Sequence, residues 1–468
     1  MIPASYRDKN VCIIGLGYVG LTLAVAMADC GLRVHGVEIN SKVLDALKQK
    51  KAHFSERGLN AKLAAHLASG RFTFGDKLLP NDRITVYIVT VGTPVGDDKR
   101  ARFEAIHGVC EQIAGVLKDD DLVILRSTVR VGTTREIVKP LLDRTGRSYD
   151  LAFCPERTLE GKALVELGSL PQIVGGIDNN ATFRASQLFS FMTPSVVRVR
   201  DTETAEMAKL INNTQRDFLF AFANEVASMC EVAGISAHEV ISAGNIGYPR
   251  ANLPMPGPCL EKDPYILAEG IERFGFAPQL ALSARRWNEQ LPIKSVSRIS
   301  RLWRARAKGG VLPGKIAVLG LAFKGRPETD DLRGSLALPI IEALRGEFAG
   351  VKIDGWDAVV PQADIESLGI HPVASVEDAF AGADIVIIQN NHECFAQLPY
   401  SSLLPLMRKP GLLYDFWNTY TENFVGPVDG VYCTGLGEQV VGADVVTAMN
   451  RRVGEKPGLA VVTAAAAG

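Results

Sequence analysis

Residues 254–265 read PMPGPCLEKDPY and set one cysteine, Cys259, behind a Gly-Pro pair with Lys262 and Asp263 within four residues. A thiol becomes an effective nucleophile near neutral pH where a positive charge or a helix N-terminus stabilises the thiolate, and an adjacent carboxylate can hold a water molecule. Residue type alone leaves a second reading open, because most free cysteines are small buried hydrophobes.

A constellation near the start of the chain gives that cysteine a context. Gly15-Leu16-Gly17-Tyr18-Val19-Gly20 follows an apolar run and opens a helical stretch. In such a turn the first glycine permits the tight reversal, the second lets a pyrophosphate approach the backbone, and the third lets helix pack on strand. The helix N-terminus then turns its free N–H groups to the phosphates. The next apolar run ends in Glu38, eighteen residues after Gly20, where a carboxylate can accept both ribose hydroxyls. Glu38 would repel a 2′-phosphate and no arginine follows it, so the expected cofactor is NAD. A hydride acceptor beside a nucleophilic cysteine implies aldehyde oxidation through a thiohemiacetal and a thioester.

Other candidates are more ambiguous by spacing. Lys209 and Asn213 lie four apart and share a helix face, where they could donate to an oxyanion or simply face solvent. Glu156 and Arg157, with Glu160 nearby, are equally compatible with a surface. A later turn, Gly320-Leu321-Ala322-Phe323-Lys324-Gly325, carries alanine where a second glycine would stand. The alanine hinders close backbone approach while Lys324 offers a point charge, so that turn fits a mononucleotide or phosphate site, or a structural copy.

The elements that must position these residues follow from the apolar pattern. The runs 11–15, 32–38 and 84–94 alternate with helical stretches, and so do 316–320, 351–357 and 384–392. Strands and helices alternating at this spacing predict an α/β chain with two Rossmann-like, doubly wound parallel sheets. Residues 203–233 carry apolar side chains at helical spacing, with Asp201 or Thr202 to cap the start and Gly234 to end it. That is a helix of roughly 45 Å, long enough to join the halves and, being apolar around its middle, to pair with a second copy. The expected domains are 1–200 for NAD, 201–303 for a helical dimerisation region, 304–312 for a linker, 313–455 for the second half and 456–468 for a tail.

Composition excludes several alternatives. Acidic and basic residues balance, 52 against 51, which gives no electrostatic case for nucleic acid or an anionic membrane. Seven histidines and eight scattered cysteines form neither a metal-ligand spacing nor a disulfide framework, so no metal is expected. The chain starts without a hydrophobic signal core and contains no membrane-length apolar run, so a soluble cytoplasmic protein is expected.

Taken together, GLGYVGL (15–21), VGTP (91–94), STVRVG (127–132), CPERTLEG (154–161), AKLINN (208–213), PGPCLEKDP (256–264) and GLAFKGRPETDDLRGS (320–335) resemble the UDP-glucose/GDP-mannose dehydrogenase family, in the family's order. The resemblance implies oxidation of the C6 alcohol of a nucleotide sugar to a carboxylate, with two NAD and no metal, by a homodimer. It makes Cys259 the nucleophile, with Asp263 and Lys209 sharing oxyanion and proton chemistry and Asn213 fixing the sugar. Thr128 and Glu156 would hold the hydrolytic water. Gly15 to Gly20, Glu38, Thr93, Ser127, Thr128, Glu160 and Arg333 would line NAD. Glu156, Arg157, Lys209, Asn213, Lys324 and Arg250 would meet the UDP-sugar, Arg250 in some members from across the dimer. Tyr248-Pro249-Arg250 is similar to the branch that uses UDP-N-acetylhexosamines, which makes such a sugar the expected substrate and UDP-glucose the alternative. Two further readings differ in class: a non-catalytic subunit that binds NAD or a UDP-sugar, and a single-step hydroxyacid dehydrogenase that needs no cysteine.

Overall fold

The computed structural model describes residues 2–3, 5–81, 83–244, 251–254, 257–423 and 428–442. Among them, eight strands build a first sheet: β1 (Asn10–Ile14), β2 (Arg33–Val37), β3 (Phe72–Gly75), β4 (Val86–Val89), β5 (Asp121–Leu125), β6 (Tyr149–Phe153), β7 (Gln172–Gly176) and β8 (Val196–Arg198). Their order is β3-β2-β1-β4-β5-β6-β7-β8, and every neighbouring pair is parallel except β6 with β7. Strands such as VYIV in β4 and DLVIL in β5 are buried at every residue. That continuous apolar character is what a parallel sheet covered on both faces requires. The alternation along β1 divides the two faces: Val11 and Ile13 join one core with the helix Tyr18–Asp29, while Cys12 and Ile14 join another with the helix Glu104–Ala114. The chain reverses direction across the sheet between β1 and β4, which leaves a crevice at the carboxyl ends of those strands.

The second sheet repeats the plan. Its strands are β9 (Lys315–Leu319), β10 (Lys352–Trp356), β11 (His371–Pro372), β12 (Ile385–Ile388), β13 (Gly411–Asp415) and β14 (Val431–Gly435), in the order β11-β10-β9-β12-β13-β14, all parallel. The two doubly wound halves read from the sequence are thus present. A helix of 32 residues, Thr202–Ala233, joins them.

Local chemistry sets the ends of that helix. Asp201 Oδ1 accepts from the Thr204 backbone N–H at 2.8 Å and from its hydroxyl at 2.6 Å, which satisfies an otherwise orphan donor of the first turn. At the other end Gly234 takes φ +74°, and the Ile235 N–H returns to the Cys230 carbonyl at 3.0 Å. A left-handed residue there is the usual reason for glycine.

The chain packs as two compact units. The first comprises residues 1–221, 255–287 and 327–334; the second comprises 222–254, 288–326 and everything from 335. Residues 327–334, counted with the second half when the sequence is read linearly, therefore belong to the first unit. Among the described residues, no helix is long and apolar enough to cross a membrane.

Candidate active site

The dinucleotide turn of the first unit is built around its glycines. Gly15 has φ +92°, and a Cβ on Gly20 would lie 1.8 Å from the Gly15 carbonyl oxygen, so neither position accepts a side chain without rebuilding the turn. Gly17 is different: a Cβ there would meet nothing within 4 Å. It also stands at the N-cap of helix Tyr18–Asp29, where no described side chain caps the first turn. Open space in front of uncapped N–H groups fits a dinucleotide pyrophosphate.

Glu38 follows β2 and is tied to that turn. Its Oε2 accepts from the Leu16 N–H at 2.7 Å, and its Oε1 accepts from the N–H groups of Ile39 and Asn40, each at 2.9 Å. Thr93 and Ser127 are buried and hold their loops internally: Thr93 Oγ1 donates to the Thr128 carbonyl at 2.5 Å, and Ser127 Oγ donates to the Val91 carbonyl at 2.6 Å. The half-buried Thr128 keeps a hydroxyl with no partner among the described residues. The Tyr18 side chain turns to Glu56, donating to its Oε2 at 2.5 Å, and the Gly161 N–H donates to Tyr18 Oη at 2.8 Å. Burial first, then Glu56, push the Tyr18 phenol well above its ordinary pKa. Val19 simply continues the helix.

The cysteine turn lies in the same unit. Cys259 is exposed and falls in a short helix, Gly257–Leu260. Asp263, at the start of the helix Asp263–Glu272, is fully buried; Asn213 Nδ2 donates to its Oδ2 at 2.6 Å and Lys262 Nζ to its Oδ1 at 2.9 Å. Burial opposes the Lys262 charge, but Asp263 and the Cys259 sulfur outweigh it and hold the ammonium above its ordinary pKa. Lys209, one turn before Asn213, is only 7% exposed, yet forms no hydrogen bond or ion pair with another described residue. A buried lysine is costly to leave unpaired.

Glu156 is anchored more firmly than its motif suggested. Its Oε2 accepts from Arg126 Nη2 at 2.5 Å and Nε at 3.2 Å, and its Oε1 accepts from the Arg157 and Thr158 N–H groups at 2.7 Å each. Burial works against its charge, but Arg126 and the Thr158 N–H prevail and hold the carboxyl below the usual range. The Arg157 guanidinium is occupied with the Pro171 carbonyl. Glu160 Oε1 accepts from Thr329 Oγ1 at 2.7 Å, and Arg333, exposed, is gripped by Asp331 at 2.6 Å. Asp331 first, then Glu160 and Cys259, keep that guanidinium charged. The 327–334 segment thus lies against both motifs: a Cβ on Gly161 would touch Glu328 and Pro327, and one on Gly334 would lie 2.6 Å from the Gly257 carbonyl oxygen.

In the second unit the strand-end device recurs. Asp357 follows β10, and its Oδ2 accepts from the Leu321 and Ala322 N–H groups at 2.6 and 3.1 Å, as Glu38 does from Leu16. Gly320 has φ +77°, and a Cβ on Gly325 would sit 2.0 Å from the His392 backbone nitrogen. Lys324 is buried with its ammonium 5.1 Å from the centre of the Phe323 ring. Arg250 lies outside the described residues.

Several buried residues have no motif of their own: Arg126, Glu56, Asp217, Arg285 and Glu206. Asp217 carried a readable signal, since it extends the four-residue spacing of Lys209 and Asn213. The others are partners supplied from remote positions.

Family models match most of the chain: the NAD binding domain of the UDP-glucose/GDP-mannose dehydrogenase family over residues 9–193, its central domain over 203–290 and its UDP binding domain over 317–422. The chain belongs to the UDP-glucose/GDP-mannose dehydrogenase family. As a member it is an NAD-dependent oxidoreductase of the UDP-sugar dehydrogenase type, and the glycine turn and Glu38 suit the cofactor. Among curated relatives, the UDP-N-acetyl-D-mannosamine dehydrogenase of Methanocaldococcus jannaschii is 31% identical over 393 residues, 82% of this chain and 86% of that protein. The NDP-N-acetyl-D-galactosaminuronic acid dehydrogenase of Ralstonia solanacearum is 31% identical over 408 residues, covering 83% and 92%. A solved UDP-D-ManNAc dehydrogenase from Pyrococcus horikoshii has a TM-score of 0.80 at 29% identity, covering 92% of this chain and 99% of that one.

Proposed function

We propose that this family member oxidises the C6 hydroxymethyl group of a UDP-N-acetylhexosamine to a carboxylate in two oxidations, with Cys259 holding the intermediate. The observation that carries the reading is the grouping in one unit of an exposed cysteine, a buried Asp263 held by Asn213 and Lys262, and a buried Lys209 without a described partner. The relatives named for UDP-N-acetyl-D-mannosamine and NDP-N-acetyl-D-galactosaminuronic acid support an acetamido sugar.

NAD, when bound, accepts the hydride that leaves C6 in each oxidation. Gly15 to Gly20 and Glu38 would hold it, with Thr93, Ser127, Glu160 and Arg333 shaping its surroundings. The first oxidation converts the alcohol to an aldehyde and releases a proton. The Cys259 thiolate adds to the aldehyde carbon, and the resulting oxyanion is stabilised by Lys209 and by Asn213, the latter fixed by Asp263. Loss of a second hydride from the carbon of that oxyanion leaves a thioester on Cys259. Water, held near Thr128, then adds to the thioester carbon, and the carbon–sulfur bond breaks to free the thiol, the carboxylate and a proton. In this scheme Glu156 orients the loop that faces the water, because Arg126 holds its carboxylate. Lys324 and Arg250 would meet the nucleotide sugar.

The assembly we propose is a homodimer along the long helix. Ile211, Phe218, Phe222 and Met229 recur at helical spacing and are 37–57% exposed, an apolar stripe that suits a second copy. All eight cysteines are unpaired, which suits the cytoplasm. The test of the function is NADH formed per sugar across UDP-N-acetylmannosamine, UDP-N-acetylglucosamine, UDP-N-acetylgalactosamine and UDP-glucose. Two per sugar on an acetamido substrate is expected; one would mean a single-step dehydrogenase, and none on any sugar a binding subunit.

A further inference from the structure

The long helix carries a third polar residue in series with Lys209 and Asn213. Asp217 comes one turn later and is fully buried. Its Oδ1 accepts from Arg285 Nη1 at 2.7 Å, and Arg285 is itself only 1% exposed. The same Nη1 donates to the Leu260 carbonyl at 2.9 Å. Leu260 directly follows Cys259 in the chain. One nitrogen thus bridges the long helix and the backbone of the cysteine turn.

Three residues beyond Leu260, on the same side of Cys259 in sequence, Asp263 accepts from Asn213 at 2.6 Å. The turn from Leu260 to Asp263 is therefore tied to one face of the long helix at two points, four residues apart on that helix. Single-turn helices fray, and Gly257–Leu260 is one turn in which Cys259 and the next residue, Glu261, are exposed. A nucleophile on such a turn needs an external tether to keep its sulfur within bonding reach of a carbon held elsewhere.

We propose that Asp217 and Arg285 are positioning residues for Cys259, with the long helix fixing the cysteine turn through the Leu260 carbonyl. The proposal rests on the reading of Cys259 as nucleophile. It assigns to the buried pair a role in turnover that a fold-stabilising ion pair would not have.

Replacing a buried ion pair by apolar residues of similar volume is often neutral or stabilising, whereas breaking one partner alone is strongly destabilising. The variant of choice is accordingly Asp217→Leu/Arg285→Met, which removes the tether without leaving a lone buried charge. Its kcat should fall roughly ten- to a hundredfold, the cost expected of a small displacement of a reacting group, while KM for NAD stays within about twofold. Asp217→Asn keeps the acceptor for Nη1 and should retain kcat within about threefold even where melting temperature drops. A double variant that folds and turns over at the wild-type rate overturns the proposal, as does an Asp217→Asn enzyme as slow as the double variant. Should the double variant not fold, Arg285→Lys decides: its shorter side chain cannot span both acceptors, and a wild-type kcat there would refute the tether. Cys259→Ser with undiminished turnover would instead refute the nucleophile reading, so the two failures are separable.

Discussion

A sulfur that must bond a substrate carbon and release it within one turnover needs a stabilised thiolate but not a buried one. Cys259 is exposed, and the neighbouring Lys262 ammonium is held above its ordinary pKa by Asp263 and the Cys259 sulfur despite burial. Cys259→Ser should therefore slow acid formation by roughly a hundredfold or more, because a serine alkoxide is far harder to form. Affinity for NAD should stay near wild type, as the cofactor residues lie on other loops. Steady-state rates with a nucleotide sugar, alongside a fluorescence titration with NAD, check both halves of the expectation. Unchanged turnover would remove the residue from the mechanism.

Among elements, the helix Thr202–Ala233 does the most, and its two faces lead to separate expectations. On the buried face, Glu206 Oε1 accepts from the Thr134 N–H and hydroxyl at 2.8 and 2.7 Å, and Oε2 accepts from the Gly132 N–H at 2.5 Å. Burial outweighs those bonds and raises its pKa from 4.5 to about 7. A carboxyl whose folded pKa is raised contributes stability below its unfolded pKa and loses it as pH climbs through the folded value. Between pH 4.5 and about 7 the wild type should lose stability, by up to about 3 kcal/mol from this group, and Glu206→Gln should flatten that part of the profile. Urea unfolding at several pH values measures it, and an identical slope in the variant would contradict the assignment. On the exposed face, Phe218→Glu puts a charge into the apolar stripe and should convert a dimer to a folded monomer, read by light scattering. A wild-type monomer, or a variant that remains dimeric, would count against pairing along this helix.

That helix was legible because periodicity, a capping aspartate and a terminal glycine all agree over residues 201–234. The strand–turn–helix at Gly15 to Gly20 was legible for the same reason. The partners of the catalytic candidates were not. Arg126 meets Glu156 from 30 residues away and Arg285 meets Asp217 from 68, and no local pattern marks which arginine will be buried. The family motifs supplied Cys259, Lys209, Asn213 and Asp263 as a group; the tie between Asn213 and Asp263 required the fold.

For the whole molecule, the two sheets use one device twice: a glycine turn after the first strand, held by a carboxylate at the end of the second. Glu38 and Asp357 both grip the N–H of the residue after the first glycine. Each copy can then be damaged separately. In Gly325→Ala the added methyl would sit 2.0 Å from the His392 nitrogen. It should raise KM for the UDP-sugar at least tenfold or unfold the second unit, while NAD still binds the first. Comparing NAD and UDP titrations with thermal melts of the variant decides it; equal loss of both ligands would speak against separate sites.

The segment 327–334 has a consequence for how the molecule is made. It completes the first unit only after most of the second sheet's first strand and turn has already passed. On the ribosome, where domains generally fold as they emerge, the N-terminal sheet can assemble early, but Glu160 cannot meet Thr329 until translation has run well beyond residue 329. The nascent chain thus carries a nearly finished cofactor fold whose last contacts are encoded more than a hundred residues after its last strand, β8. A gene cut between the two sheets would give a first fragment lacking that strap, and supplying residues 315–442 as a second polypeptide would have to restore it by association.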